Sequence, residues 1–153
     1  MNLLKRGLVG LSILFPMAAN AGEPITEFAQ NVVTHVMLHE LAHGLFREFD
    51  LPILANEEVM ADTFATYFVT QHLRDAAPDI IIARAKSWMI EDSQLSPKDY
   101  NHKSEHPLNI RRAYQALCLF YGADPIEFSP HVAFAEFSSN DLSDCSDTAP
   151  DQI

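Results

Sequence analysis

Two histidines and a glutamate stand at a spacing that suits a catalytic metal ion. The run His39-Glu40-Leu41-Ala42-His43 has the H-E-x-x-H pattern. On a helix, positions i and i+4 lie on one face, so His39 and His43 can bind the same ion. Glu40 would then reach the water that attacks the substrate and act as a general base. The pattern therefore predicts a zinc-dependent hydrolytic site.

A catalytic zinc site usually takes three protein ligands, so the sequence must supply one more. Glu58 and Asp62 lie four residues apart at the start of the next predicted helix and share a face. We expect Glu58 to bind the metal. Asp62 would accept a hydrogen bond from the other ring nitrogen of a ligating histidine and so fix that ring. Glu57 is an alternative ligand, but it lies about 100° away around the helix and pairs less well with Asp62.

His35 precedes His39 by four residues and extends the row of histidines. As a third ligand it would have to share an ion with His43, about 12 Å away along the helix axis, whereas zinc–nitrogen bonds are about 2 Å. We therefore expect a buried or supporting role for His35. The alternative without a metal is a polar stripe in an apolar helix, which would bury an acid and two imidazoles at a cost.

The first residues have the features of a secretory leader. Lys5 and Arg6 precede an apolar run from Gly7 to Met17, and Ala19-Asn20-Ala21 is a small-x-small cleavage site, which predicts a signal peptide over residues 1–21. Its removal leaves 8 of the 10 basic residues against 21 acidic ones, a net charge of −13. This charge disfavours nucleic-acid binding, and no later run approaches the about 20 apolar residues of a membrane span. We expect an exported protein, periplasmic or secreted.

Hydrophobic periodicity and capping residues predict about four helices and no convincing strand. A helix, a short turn and an antiparallel helix would bring Glu58 beside His43. The predicted fold is mainly α, a single small zincin-like helical domain over residues 22–137, with the zinc cleft between two antiparallel helices and little or no sheet. The predicted helices run from Pro24 to Phe49, from the N-cap Asn56 to about Leu73, from Pro78 to about Met89, and from Pro107 to Tyr121, with a long loop from Glu91 to Glu105.

The end of the chain, residues 138–153, is acidic and rich in serine. This composition predicts a tail that is mostly disordered. Cys118 and Cys145 could form a disulfide in an oxidising compartment, with two free thiols as the alternative.

Beyond the zinc motif, the chain resembles the gluzincin-type zinc metallopeptidases, and in particular a bacterial "putative metallopeptidase" family that is classed as a domain of unknown function. Two blocks carry the resemblance, and together they span roughly Val36 to Phe128. The first block consists of the zinc motif, Leu51-Pro52, Glu57-Glu58 and Ala61-Asp62. The second consists of Glu105-His106-Pro107-Leu108, Arg112, Tyr114, Leu117-Cys118 and Tyr121-Gly122-Ala123-Asp124-Pro125.

The resemblance implies that His39, His43 and Glu58 bind zinc, with Glu40 as the catalytic base and Asp62 supporting a ligand. Gluzincins usually have a small sheet ahead of the zinc helix, and its edge strand holds an extended peptide. Here the mature chain reaches the zinc helix almost at once. This departure leaves strand-mediated substrate binding in question.

The second block offers further groups that could face the zinc cleft and stabilise an oxyanion. We include His106 as a candidate catalytic residue. For Arg112 and Tyr114, which could also donate there, ordinary surface or helix-capping roles are favoured. His102, in the same loop as His106, has a weaker claim. His72 and His131 are expected to be structural or exposed.

The leading hypothesis is an exported zinc metallopeptidase that acts on peptides or proteins. Zinc would polarise the scissile carbonyl while Glu40 takes a proton from the attacking water and returns it to the leaving amine. The alternative is a catalytically impaired zinc-binding or regulatory protein derived from a peptidase, which the missing edge strand favours. A helical domain without metal is a third, weaker hypothesis.

Overall fold

The computed structural model describes residues 24–53, 56–100, 103 and 105–148. Within these ranges the protein is mainly helical and contains no strand, which confirms the predicted fold class. None of the described helices combines the length and the apolar composition needed to cross a membrane. The predicted signal peptide lies outside the described residues. The helices are α1 (Pro24–Glu48), α2 (Glu57–His72), α3 (Ala77–Ser93), α4 (Asn109–Ala123), α5 (Pro125–Val132) and α6 (Ser139–Thr148), with short 3-10 turns at Arg74–Ala76, Pro97–Asp99 and Ala133–Ala135.

The end of α1 is set by a Schellman motif. Asp50 adopts a left-handed conformation with φ of 49°, and the N–H of Leu51 donates to the carbonyl of Phe46 at 3.0 Å. This 6→1 bond satisfies a carbonyl that the helix leaves without an internal partner. Pro52 follows and disfavours helical continuation. The chain therefore leaves α1 close to the predicted position.

The start of α2 is fixed by Asn56, the predicted N-cap. Its side-chain oxygen accepts a hydrogen bond from the backbone N–H of Val59 at 3.2 Å, while its amide nitrogen donates to the carbonyl of Glu105 at 2.8 Å. The first satisfies an exposed donor of the helix, and the second ties α2 to the segment before α4. Glu57 and Glu58 occupy the first turn, where the helix dipole favours acids.

The side-chain pairs between α1 and α2 show that the two helices are antiparallel, as predicted. Each step of four residues back along α1 matches a step of four residues forward along α2. The facing pairs are His43 with Glu58, His39 with Asp62 and His35 with Thr66; we call these six residues the polar seam.

The hydrophobic core lies where α3 packs against α1 and α4. Trp88 on α3 is fully buried, and the ring of His35 meets it edge to face with 5.6 Å between centroids. In the same core, the rings of Phe120 on α4 and Phe128 on α5 stack with centroids 4.0 Å apart. Burial of each large apolar side chain stabilises the fold by about 1.5–3 kcal/mol. Because α1 packs on this core through α3, the core fixes the position of the helix that carries the three histidines.

The predicted disorder after residue 137 is wrong for residues 139–148, which form α6. Cys145 on α6 is buried and forms a disulfide with Cys118 on α4, with 5.1 Å between the Cα atoms. Ser138 and Asp141 bond each other's backbone N–H groups and so cap the start of α6. The acidic composition pointed to disorder, but this cap and one covalent anchor hold the short helix against α4.

Two further departures concern helix boundaries. The prediction did not include α5, whose first turn is capped by the Asp124 side chain through the N–H of Glu127 at 3.1 Å. The predicted loop from Glu91 begins too early, because α3 continues to Ser93.

Candidate metal centre

Donor atoms of three side chains on α1 and α2 converge at the end of the polar seam that holds His39, His43 and Glu58. Nε2 of His39 lies 3.1 Å from Nε2 of His43 and 3.2 Å from Oε2 of Glu58. Nε2 of His43 lies 3.5 Å from Oε1 of Glu58. In a tetrahedral zinc site with bonds of about 2 Å, neighbouring donor atoms are about 3.3 Å apart. These separations, which involve both carboxylate oxygens of Glu58, are therefore compatible with one ion held between the three side chains.

The other ring nitrogen of each histidine has a carboxylate partner. Nδ1 of His39 lies 2.9 Å from Oδ1 of Asp62, and Nδ1 of His43 lies 2.7 Å from Oε1 of Glu57. An ionised carboxylate can only accept, so each Nδ1 carries the proton and donates it. In the neutral ring, the lone pair of each Nε2 then faces the cluster, which is the tautomer that a metal ligand requires.

The donor set therefore fits a cation. The two Nε2 atoms lie 3.1 Å apart beside the Glu58 carboxylate. Oε2 of that carboxylate is buried, and Nε2 of His106 lies 2.9 Å from it. The side chains of His39, His43 and Glu58 are only 9%, 13% and 14% exposed, so solvent offers little compensation. Such a set is costly unless an ion binds it, and two imidazoles with one carboxylate are typical zinc ligands.

The structure gives Glu57 a different position from the one considered in the sequence. It was weighed as an alternative ligand, whereas the structure pairs its carboxylate with Nδ1 of His43, away from the three convergent atoms. This pairing can be predicted only when the register of the two antiparallel helices is known, because that register places both Glu57 and Glu58 opposite His43. The sequence alone did not single it out.

Arg112, on α4, hydrogen-bonds with Asp62 and with none of the three described side chains that could bind the metal. Its Nε and Nη2 donate to Oδ2 and Oδ1 of Asp62 at 2.7 Å and 2.9 Å. Burial alone would raise the pKa of Asp62, but the hydrogen bonds from His39 and Arg112 and the charge of Arg112 outweigh it and lower this pKa to about 2. Arg112 is 8% exposed, so the surface or capping role expected for it is wrong.

Of the two candidate catalytic residues, only His106 has a given contact with the cluster. Nε2 of His106 is 2.9 Å from Oε2 of Glu58, and its side chain is 53% exposed. Glu40 follows His39 on α1, is exposed, and forms no hydrogen bond or ion pair with the described part of the chain. Its carboxylate is thus available to a substrate or to water. The catalytic roles of both residues stay predictions.

The remaining candidates lie away from the three donor atoms. His35 is fully buried, as expected, with Nε2 3.1 Å from the hydroxyl of Thr66. Tyr114 packs edge to face on Phe137, with centroids 5.4 Å apart. His102 lies outside the described residues. His72 is exposed and His131 is partly buried, each beside a phenylalanine ring.

A small cavity gives access to the cluster. It has a volume of about 250 Å³ and is lined by His43, Glu57 and Glu58, with Arg47, Asn56 and Glu105 at its sides. A larger cavity of about 850 Å³ lies between α4 and α6, and none of the three convergent residues lines it. A molecule that reaches the cluster would therefore occupy the smaller cavity.

The fold and the site thus define a small helical protein with a His-His-Glu group that could hold a metal ion. A family model described as "Putative metallopeptidase" matches residues 10–150, and the chain belongs to this family. This agrees with the resemblance carried by the two sequence blocks. No curated protein and no solved structure matches the chain.

Proposed function

We propose that this protein is an exported zinc-dependent peptidase. The observation that carries the proposal is the convergence of His39, His43 and Glu58 at the separations of a single tetrahedral ion. Membership of a metallopeptidase family supports peptides or proteins as the substrate class. Export rests on the predicted leader at residues 1–21 and on the disulfide between Cys118 and Cys145, which suits an oxidising compartment.

In this proposal, His39, His43 and Glu58 hold the zinc through the atoms that face one another. When bound, zinc supplies Lewis acidity, which polarises a carbonyl and lowers the pKa of a water molecule. Glu57 and Asp62 keep the Nδ1 protons in place and so keep each Nε2 lone pair directed at the ion.

The chain's own proton transfers fall to Glu40 and His106. Glu40 is exposed and unpaired within the described ranges, so it can take a proton from the attacking water and return it to the leaving amine. His106 reaches the same edge of the cluster from the segment before α4, and Asn56 ties that segment to α2. Its imidazole can donate a hydrogen bond to a developing oxyanion.

The first experiment is the zinc content of the mature protein, measured by elemental analysis beside Glu58→Ala prepared without chelator. We expect about one zinc per chain in the wild type and its loss in the variant. Absence of zinc from the wild type would refute the proposal and favour the helical domain without metal.

The second experiment separates metal binding from turnover. Glu40→Gln should keep zinc but lose hydrolysis of a peptide library by at least about 100-fold, since the amide cannot accept the proton. Glu48→Gln, an exposed glutamate near the end of the same helix, is the matched control and should keep full activity. Equal activity of Glu40→Gln and the wild type would refute the assigned mechanism. Zinc without cleavage of any peptide in the wild type would favour the binding or regulatory protein.

A further inference from the structure

We infer that Arg112 is a positioning residue of the metal centre, which acts through Asp62 to hold the His39 ring and thereby sets the affinity for zinc. The inference rests on the proposed zinc site but not on peptide hydrolysis. It concerns a residue 50 positions after Asp62 that touches none of the three convergent side chains through a hydrogen bond given by the structure. Its effect would therefore pass through one carboxylate.

The first part of the argument is the division of the Asp62 oxygens. Oδ2 accepts from Nε of Arg112 at 2.7 Å. Oδ1 accepts from Nη2 of Arg112 at 2.9 Å and from Nδ1 of His39 at 2.9 Å. The rotation of a carboxylate about its last bond is soft. Two parallel bonds from one planar guanidinium fix that rotation, so Oδ1 stays directed at the His39 ring.

The second part is the support of Arg112 itself. Its guanidinium carbon lies 4.7 Å from the centroid of the Trp88 ring, a cation–π contact between two buried side chains. Trp88, on α3, is fully buried, and its ring also contacts the ring of His35. The guanidinium therefore has little freedom to turn away from Asp62. A fixed arrangement thus runs from the core through Arg112 and Asp62 to a metal ligand.

A purely structural role for Arg112 makes a different prediction. If it only neutralised the buried charge of Asp62, a lysine would serve, because an ammonium carries the same charge. Lysine has a single nitrogen and cannot provide the two parallel donors. Arg84 offers a matched control, since its guanidinium carbon lies 4.0 Å from the centroid of the same Trp88 ring but it makes no hydrogen bond to Asp62.

The test is the dissociation constant for zinc, measured by competition with a chromophoric chelator, for the wild type, Arg112→Lys and Arg84→Lys. Because loss of the partner of a ligating histidine typically weakens metal binding by about 10- to 100-fold, we expect Arg112→Lys to weaken it at least about tenfold. Arg84→Lys should stay within about twofold. Circular dichroism confirms that each variant is folded. Wild-type affinity in Arg112→Lys, or equal losses in both variants, would overturn the inference.

A second comparison tests whether the effect passes through Asp62. Asp62→Asn and the double variant with Asp62→Asn and Arg112→Gln should bind zinc equally, because Arg112 would have no carboxylate left to orient. A further tenfold loss in the double variant would overturn the inference. In cobalt-loaded protein, Arg112→Lys should change the visible ligand-field spectrum and Arg84→Lys should not. If the wild type binds zinc but hydrolyses no peptide, the proposed function alone is overturned. If the wild type binds no zinc, both the proposed function and this inference are overturned.

Discussion

Acidification should destabilise the fold through His35, a buried histidine that the proposed chemistry does not use. Burial lowers the pKa of His35 from 6.5 to about 3; the charge of Asp62 opposes this, and those of Arg84, His39 and Arg112 add to it. Nδ1 has no hydrogen-bond partner within the described ranges, and Trp88 packs against the ring. A second proton on this ring would therefore create a buried charge whose Nδ1–H has no acceptor among the described residues.

The sign and size follow from the two pKa values. Between pH 6.5 and 3, the unfolded chain protonates His35 while the folded protein keeps it neutral, so the free energy of unfolding falls as the pH falls. Each pH unit within this window is worth about 1.4 kcal/mol. From pH 7.5 to 4.5 the contribution of His35 therefore falls by about 3 kcal/mol, a large part of the stability of a small domain.

The assay is urea unfolding at pH 7.5 and 4.5 with chelator present, followed by the fluorescence of Trp88, the single tryptophan of the chain. His35→Gln removes the titrating group, so its free energy of unfolding should fall by about 3 kcal/mol less than that of the wild type over this interval. His72→Gln, on the exposed side of α2, should behave like the wild type. If His35→Gln and the wild type lose the same stability, the assignment of the acid sensitivity to His35 is refuted.

Two further predictions concern the anchoring of α6 and the partner of the second histidine. Replacing Cys118 and Cys145 together by alanine opens a link between residues 27 positions apart, which should lower the free energy of unfolding by about 3.5 kcal/mol in urea titrations. A loss below about 1 kcal/mol would show that α6 docks without the disulfide. Glu57→Ala should weaken zinc binding about tenfold in a chelator competition, because the carboxylate that orients His43 is lost. Glu48→Ala is the control for the lost charge, and the same affinity in both variants would contradict this role of Glu57.

Local features of the chain were predictable because their causes lie within a few residues. The spacing of His39 and His43 places both rings on one face of any helix, and the cap at Asn56 begins α2 through a bond to a residue three positions away. The short connection between the two helices then makes the antiparallel pairing with Glu58 and Asp62 geometrically natural. The mainly α fold and the convergent residues followed from these features.

The missed features depend on contacts between distant parts of the chain. The disulfide between Cys118 and Cys145 was predicted and is confirmed, but α6, which it anchors, was missed because its composition indicated disorder. Arg112 looked like a surface or capping residue, since the sequence does not show that its helix packs behind α2. Glu57 could be assigned to His43 only once the register of α1 and α2 was known.

By itself, therefore, the sequence determined the helical class, the row of histidines on α1 and the acids that face it, because helix periodicity, capping and a short turn act over a few bonds. Only the tertiary structure decided how this site is supported. It placed Arg112 against Asp62 and the ring of Trp88, and it divided Glu57 and Glu58 between orienting a ring and facing the cluster. Those choices depend on side-chain packing among α1, α2, α3 and α4, which many sequence positions set together and no local pattern specifies.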